Sequence, residues 1–230
     1  MPKDLPIDLH PVQRLLDKHR VHSEQYDLEV DGVKLRMLPD VFCPAYTNTS
    51  KFLADNLDIK EGEEVLDMFS GSGFVGIRAA AKAGSVTCVD HSENAIKCIG
   101  NNISANDLTS KVRSIKSDLF ASLDSQQFDV VIANPPLLPG NPRTILETAV
   151  FDPELVTTVN FFEQVGSHLK DNGRIYLLFS DVTKDTELGG LDLIDSLCKK
   201  FNFTNKVVAT KPVGYESYYV IEIKKDLHYG

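Results

Sequence analysis

The chain has 230 residues, 42% hydrophobic and 25% charged, as expected of a single α/β domain with a well-buried core. No run approaches the ~20 apolar residues of a membrane span, and Met1-Pro2-Lys3-Asp4-Leu5-Pro6 lacks the apolar core of a signal peptide. The net charge of −9 weighs against extensive contact with phosphate backbones, and the scattered Cys43, Cys88, Cys98 and Cys198 form neither metal-ligand spacing nor a disulfide framework, so the cytoplasm is the expected compartment.

In chain order, Val12, Leu15 and Leu16 predict an amphipathic helix over His10–Val21. His10, Arg14, Lys18, His19, Arg20 and His22 make it the most basic stretch. It reads as a solvated helix face, with nucleic-acid contact as the alternative. Alternating residues at Tyr26–Val30 and Val33–Met37 around Asp31-Gly32 predict a hairpin, since Gly accepts the positive φ of a two-residue turn. A helix is expected over Ser50–Leu57. Strands are then predicted at Glu64–Met68, Val86–Asp90, Val112–Ile115, Phe128–Ala133 and Arg174–Phe179, separated by helices at Val75–Ala83, Ser92–Ala105 and Pro153–Leu169. Asp171-Asn172-Gly173 is expected to stop the last of these. A helix at Leu191–Lys200 and strands at Thr204–Thr210 and Tyr218–Ile223 complete the chain. The pattern predicts a mostly parallel sheet covered on both faces, with an antiparallel last strand.

Three strand ends carry chemistry. Val65-Leu66-Asp67-Met68-Phe69-Ser70-Gly71-Ser72-Gly73-Phe74-Val75-Gly76 runs from a buried strand through a glycine-rich turn into a helix. Gly71 and Gly73 would let the backbone approach a ligand, and Gly76 would ease helix–strand packing. Val86–Val89 ends in Asp90, near the ~20-residue offset at which an acid meets a ribose diol; a lone Asp there is otherwise a helix cap. The glycine spacing also fits a nicotinamide dinucleotide.

The third strand end decides between them. Phe128–Ala133 runs into Asn134-Pro135-Pro136-Leu137. The prolines stiffen the turn and donate no hydrogen bonds, leaving the Asn134 amide and free carbonyls at the mouth of the sheet. Such acceptors suit an NH₂ group whose lone pair is delocalised, and would stabilise the positive charge that develops when it attacks.

These residues resemble the class I methyltransferases, specifically the branch with an Asn-Pro-Pro-aromatic or Asn-Pro-Pro-apolar loop that includes HemK-type protein glutamine, guanine-N2 rRNA and adenine-N6 enzymes. The resemblance covers about Tyr26 to Ile223. It implies a Rossmann-like seven-stranded sheet and S-adenosyl-L-methionine (SAM) as cofactor. It implies that Asp67, Phe69, Gly71 and Gly73 line the methionine end of SAM and that Asp90 holds the ribose. Asp118 would lie by the adenine amine, Leu119 or His91 beside the ring, and Asn134, Pro135, Pro136 and Leu137 would form the catalytic loop, with Asn134 also meeting the cofactor. Val41-Phe42-Cys43-Pro44-Ala45 is similar to the Phe-x-Pro segment of HemK-type enzymes, which makes Phe42 and Pro44 candidates for substrate contact. Two residues depart from the family pattern. Phe69 stands where many members have glycine, and Leu137 replaces an aromatic residue that packs on the substrate plane.

Thr47 or Thr49 is placed either to meet the SAM carboxylate or to cap a helix. Arg143, in the loop after the catalytic turn, is a further candidate contact. Tyr215, Tyr218 and Tyr219 read as sheet packing, and Cys43 and Cys98 as small core residues. The expected organisation is an N-terminal helix and hairpin over residues 1–45 and a SAM-dependent domain over 46–230. The expected function is N-methyl transfer, to a protein glutamine ahead of an RNA or DNA base. The other readings are a nicotinamide oxidoreductase, or a SAM-fold subunit without catalysis that serves a partner. An activating partner subunit is compatible with either methyltransferase reading.

Overall fold

A computed structural model describes residues 9–214 and 216–226; the N-terminal hexapeptide and Tyr215 discussed above lie outside the described residues. Helix α1 spans His10–Arg20, and strands β1 (Tyr26–Val30) and β2 (Val33–Met37) pair as the expected hairpin. Its turn residues, Asp31 (φ 47°) and Gly32 (φ 78°), are both left-handed, as a two-residue turn matching the strand twist requires. Helix α2 is Thr49–Asp55. The strand–helix alternation follows as β3 (Glu64–Met68), α3 (Phe74–Ala79), β4 (Ser85–Asp90), α4 (Glu93–Ala105), β5 (Val112–Lys116), β6 (Phe128–Ala133), α5 (Val156–Val165), β7 (Leu169–Ser180), α6 (Leu191–Lys200), β8 (Phe203–Val213) and β9 (Glu216–Lys225).

The seven-stranded sheet has the order β5-β4-β3-β6-β7-β9-β8. Strands β5 to β7 run parallel, whereas β9 is antiparallel to both β7 and β8. The chain moves outward from β3 to β5 and then returns to lay β6 on the other side of β3. At such a switch point the loops leave in opposite directions and open a crevice outside the strands' carboxyl ends.

Each face of the sheet buries its own apolar layer. Val65, Val130 and Ile132 belong to one layer, Leu66, Val131 and Ala133 to the other, as the two-residue side-chain period dictates. The hairpin shares the first layer: Val33, Leu35 and Met37 are buried beside Cys43, Phe74 and Ile99, so the core is continuous across residue 45. Polar bonds fix the register of β2 on α4. Asn102 accepts the Arg36 backbone N–H (2.6 Å), and Asn106 both accepts from and donates to the Lys34 backbone (3.0 and 2.8 Å).

Two expectations are corrected. The helix predicted over Pro153–Leu169 is α-helical only from Val156 to Val165, because Glu154 and Leu155 take positive φ values of 54° and 56°. Asp171-Asn172-Gly173 does not stop that helix; it lies inside β7. There a step of five residues in β7 (169 to 174) matches a step of two in β6 (128 to 130), so the polar triplet forms a bulge.

Candidate functional site

The site is built at the carboxyl ends of β3, β4 and β6. Past Met68 the chain turns through Phe69 (φ 61°), Gly71 (φ 54°) and Gly73 (φ 78°) into α3. Ser70 ties this turn to β4: its N–H donates to the Val89 carbonyl (3.0 Å) and its hydroxyl accepts the Val89 N–H (2.9 Å). A Cβ on Gly71 would meet no atom within 4 Å, so the residue faces open space and it is its φ that favours glycine. Gly76 has the opposite reason. A Cβ there would sit 2.6 Å from Cys88 Sγ and 3.0 Å from Asp67 Oδ2, so only glycine lets α3 lie on β3 and β4.

Asp67 is buried, and its Oδ2 accepts the Gly76 N–H at 2.9 Å. Burial pushes its carboxyl up to about 7, with the nearby Asp90 adding to the shift and the bonds from Gly76 and Ser70 opposing it. Asp90, at the end of β4, accepts the Gly71 N–H on Oδ2 and the Ser92 N–H on Oδ1, each at 2.9 Å. The helix cap proper is Ser92, whose hydroxyl accepts the Ala95 N–H (3.4 Å). Each Asp90 oxygen therefore keeps acceptor capacity, in an orientation two backbone bonds hold still. Such a carboxylate fits a vicinal diol. Beyond β5, Leu119 stands at φ 47° beside the exposed Asp118.

Asn134 leaves β6 toward the same crevice, and its Nδ2 donates to Ser50 Oγ of α2 (3.3 Å). The amide oxygen remains for a donor from outside. The chain after Leu137 folds back over the crevice through a bridge between Leu138 and Phe151. Asp152 holds the start of α5 by accepting from Thr157 N–H (2.9 and 3.0 Å) and from the Thr157 hydroxyl (2.9 Å).

Helix α1 closes another side. His19 is buried: its Nδ1 bonds the Leu15 carbonyl (2.9 Å), its Nε2 receives the Cys43 N–H (2.8 Å), and its ring stacks on Phe42 with centroids 4.7 Å apart. A carbonyl only accepts, so Nδ1 carries the hydrogen and the ring is neutral; burial lowers its affinity for a second proton. Arg20 pairs with Glu147 of the overlying loop (2.8 Å), and His22 Nε2 lies 2.6 Å from the Tyr46 hydroxyl. Part of the basic stretch read as a solvated face is thus what docks α1.

Together these elements enclose a cavity of about 670 Å³. Its walls bring together the expected Asp67, Phe69, Gly71, Asp90, His91, Asp118 and Leu119, the Asn134–Leu137 turn, Phe42, Thr47 and Thr49. Three expected residues are not in the walls: Gly73 is the N-cap of α3, Pro44 is buried beneath the Phe42 segment, and Arg143 is exposed to solvent. Among residues without a distinctive sequence pattern, Ser50, Val12 and Leu15 also face the cavity, as do Glu216 and Tyr218 from β9. Tyr218 therefore does more than pack the sheet. No local motif marks the β9 pair, because the antiparallel return of β9 along β7 is what brings it there. Among the described residues no group of three or more His, Cys, Asp or Glu side chains could hold a metal ion, and no helix is long and apolar enough to cross a membrane.

Comparison with known proteins bears on the family and the fold. The family model described as the methyltransferase small domain matches residues 32–212. A candidate protein N5-glutamine methyltransferase of Methanocaldococcus jannaschii is 29% identical over 203 residues, 84% of this chain and 96% of its own length. The ribosomal protein uL3 glutamine methyltransferase of Francisella tularensis is 41% identical over 81 residues, 34% of this chain; the match spans about a quarter (26%) of that protein. A T. thermophilus 16S rRNA guanine-N2 methyltransferase, solved with AdoMet and guanosine, shares the fold at a TM-score of 0.63 and 22% identity, covering 88% of this chain and 50% of that one.

Proposed function

Because the chain belongs to the methyltransferase small domain family, we propose that it uses SAM to methylate the side-chain amide nitrogen of a glutamine in a polypeptide. The observation that carries this reading is that Asn134, Pro135 and Pro136 share one cavity with Asp67, Gly71, Asp90 and Asp118. The fold's switch point thereby juxtaposes a nucleoside-binding half and an NH₂-binding turn. Family membership also sets aside the nicotinamide reading of the glycine spacing.

The residues present fit the cofactor. Asp90 offers acceptor capacity to two ribose hydroxyls, and Gly71 leaves room for close approach. Asp67 is a buried acid that ionises more readily beside a cation. SAM, when bound, supplies a methyl group activated by its positive sulfur. On the acceptor side, Asn134 has its Nδ2 engaged by Ser50, so its Oδ1 accepts one N–H of the substrate amide. The Pro135 carbonyl takes the other. Held by two acceptors, the nitrogen is aligned and the positive charge that develops on it is stabilised without a strong base. The proton leaves to water once that charge has formed.

A polypeptide is favoured over a nucleic acid by the charge of the walls. Asp40, Asp67, Asp90, Asp118, Asp152 and Glu216 face the cavity, and among its described lining residues there is neither Lys nor Arg. A phosphate backbone would meet repulsion there. The second reading, an adenine or guanine base, is favoured by the Phe42 and Tyr218 rings in the same walls, which offer flat apolar surface.

Labelled SAM incubated with ribosomal-protein and release-factor fractions, and separately with rRNA and tRNA, tests the choice. Label on a protein glutamine, located by mass spectrometry, is the expected result. Asn134→Ala is expected to reduce transfer at saturating SAM by about 10²-fold or more. Label on RNA alone overturns the glutamine reading. An unlabelled acceptor pool that becomes labelled only on adding cell extract identifies the need for an activating subunit.

A further inference from the structure

We propose that Glu216, held by Ser180 and Tyr218 in the cavity wall two strands away from Asn134, determines specificity by selecting acceptors with a basic side chain close to the methylated glutamine. The inference rests on the glutamine reading above and names the sequence context that reading leaves open.

The sheet order places β7 between β6, which leads into Asn134, and β9, which begins at Glu216. Two strand spacings of ~4.8 Å separate Asn134 and Glu216 laterally, and Glu216 lies four residues of ~3.3 Å beyond the Leu178–Val220 row that Asn134 follows, so the two stand roughly 16 Å apart. That is too far to touch the amide being methylated. It is the distance an extended polypeptide covers in about five residues, at ~3.3 Å each. Glu216 therefore meets a neighbour of the target residue.

The carboxylate is preorganised for that contact. Its Oε2 accepts a short hydrogen bond from the Ser180 hydroxyl, and its Oε1 accepts one from the Tyr218 hydroxyl at 3.2 Å. Each oxygen keeps a lone pair, and both partners are hydroxyls. The adjacent Asp181 is committed elsewhere: it accepts the Ser217 N–H (2.7 Å) and the Tyr219 hydroxyl (3.2 Å), and lies 3.6 Å from Lys184. Burial raises the Glu216 carboxyl above its ordinary range; Ser180 and Tyr218 oppose this, Asp181 adds to it and Lys184 offsets it. A partly desolvated acid in that state gains more from an incoming ammonium or guanidinium than one in open water.

The rim also suits a polypeptide. Ile145, Val156 and Val213 are 58%, 48% and 37% exposed, and all three face this cavity. Val213, paired with Glu216 across the β8–β9 turn, sets exposed aliphatic surface beside the carboxylate, which matches the aliphatic stem and charged head of a lysine or arginine.

The test uses the full chain, labelled SAM and short peptides with a central glutamine. The peptides differ only about five residues from it, where they carry lysine, norleucine or glutamate. The lysine peptide is expected to exceed the glutamate peptide about tenfold in kcat/KM, mainly through KM, as for a hydrogen bond to a charged group. Glu216→Gln is expected to bring the ratio near one, and Glu216→Lys to reverse it, with SAM affinity unchanged in both. A purely structural role would lower all peptides alike and preserve their ratio. An unchanged ratio with glutamine still methylated overturns the inference and leaves the glutamine reading standing. Transfer to oligonucleotides only, or to none of the peptides, overturns both.

Discussion

The two ends of the central sheet are built from the same strands to opposite purposes. At the amino ends charges are paired, and the non-glycine residues at positive φ, Asp107, Asp124 and Asn202, are types that tolerate that region. Arg174 makes two bonds to Glu63 (2.7 and 2.8 Å), and Lys170 bridges Glu64 and Asp129 (2.8 and 2.9 Å). Burial would raise the Asp129 carboxyl, but the Glu64 N–H and Lys170 outweigh it and hold Asp129 below the usual carboxylate range. At the carboxyl ends Asp67 is buried without a cation and its carboxyl is pushed up to about 7. Phe69 and Leu119, both bulky, sit at positive φ. Strain and uncompensated charge are concentrated where a ligand would relieve them, and the opposite end supplies stability.

Breaking the stable end should have the largest effect on folding. Arg174→Met leaves Glu63 without its partner. It is expected to cost about 3 kcal/mol, the low end for a buried pair because Glu63 keeps some contact with water. Denaturant midpoints check this, and SAM affinity of the folded protein should be unchanged. At the other end, Gly76→Ala puts a methyl against Cys88 and Asp67 and is expected to cost about 2 kcal/mol. Here both the melting temperature and SAM affinity should fall. Equal SAM affinity in Gly76→Ala and the parent would break the proposed division of labour.

A pH series sharpens it. Burial lifts Asp67 above the range of an unfolded carboxylate, so in this group the folded chain holds a proton that the unfolded chain has released. Its contribution to stability is present below about pH 4 and is lost as pH rises through about 7. Binding of a cationic cofactor prefers the ionised form. SAM affinity should therefore rise through the same window, and Asp67→Asn should flatten both curves, as read by calorimetric titration and thermal melts. The smallest effect is expected from Leu119→Asn. Asparagine tolerates the left-handed region, so the variant should gain up to about 1 kcal/mol of stability while binding SAM more weakly.

What is local in this molecule was legible in its amino-acid order. Strands β3 and β6 have the expected bounds because their buried cores, Val65-Leu66 and Val130-Val131-Ile132-Ala133, read as short apolar runs. The hairpin follows from Asp31-Gly32, and Asp67, Asp90 and Asn134 stand out because each closes such a run beside a glycine, a helix start or a proline. Asp171-Asn172-Gly173 was misread because the same residues can end a helix or bulge a strand; the register of β7 on β6 decides. The sequence by itself therefore determined the fold class and the strand-end residues Asp67, Gly71, Asp90 and Asn134 that the cavity gathers. Only the tertiary structure decided that His19 is a buried hook, that Gly73, Pro44 and Arg143 stand outside the cavity walls, and that Glu216 and Tyr218 stand within them. The physical reason is range. Turn chemistry and strand burial act over a few neighbouring residues, whereas the far wall of the cavity is assembled by contacts such as Ser180 with Glu216, which exist only once β9 has paired with β7.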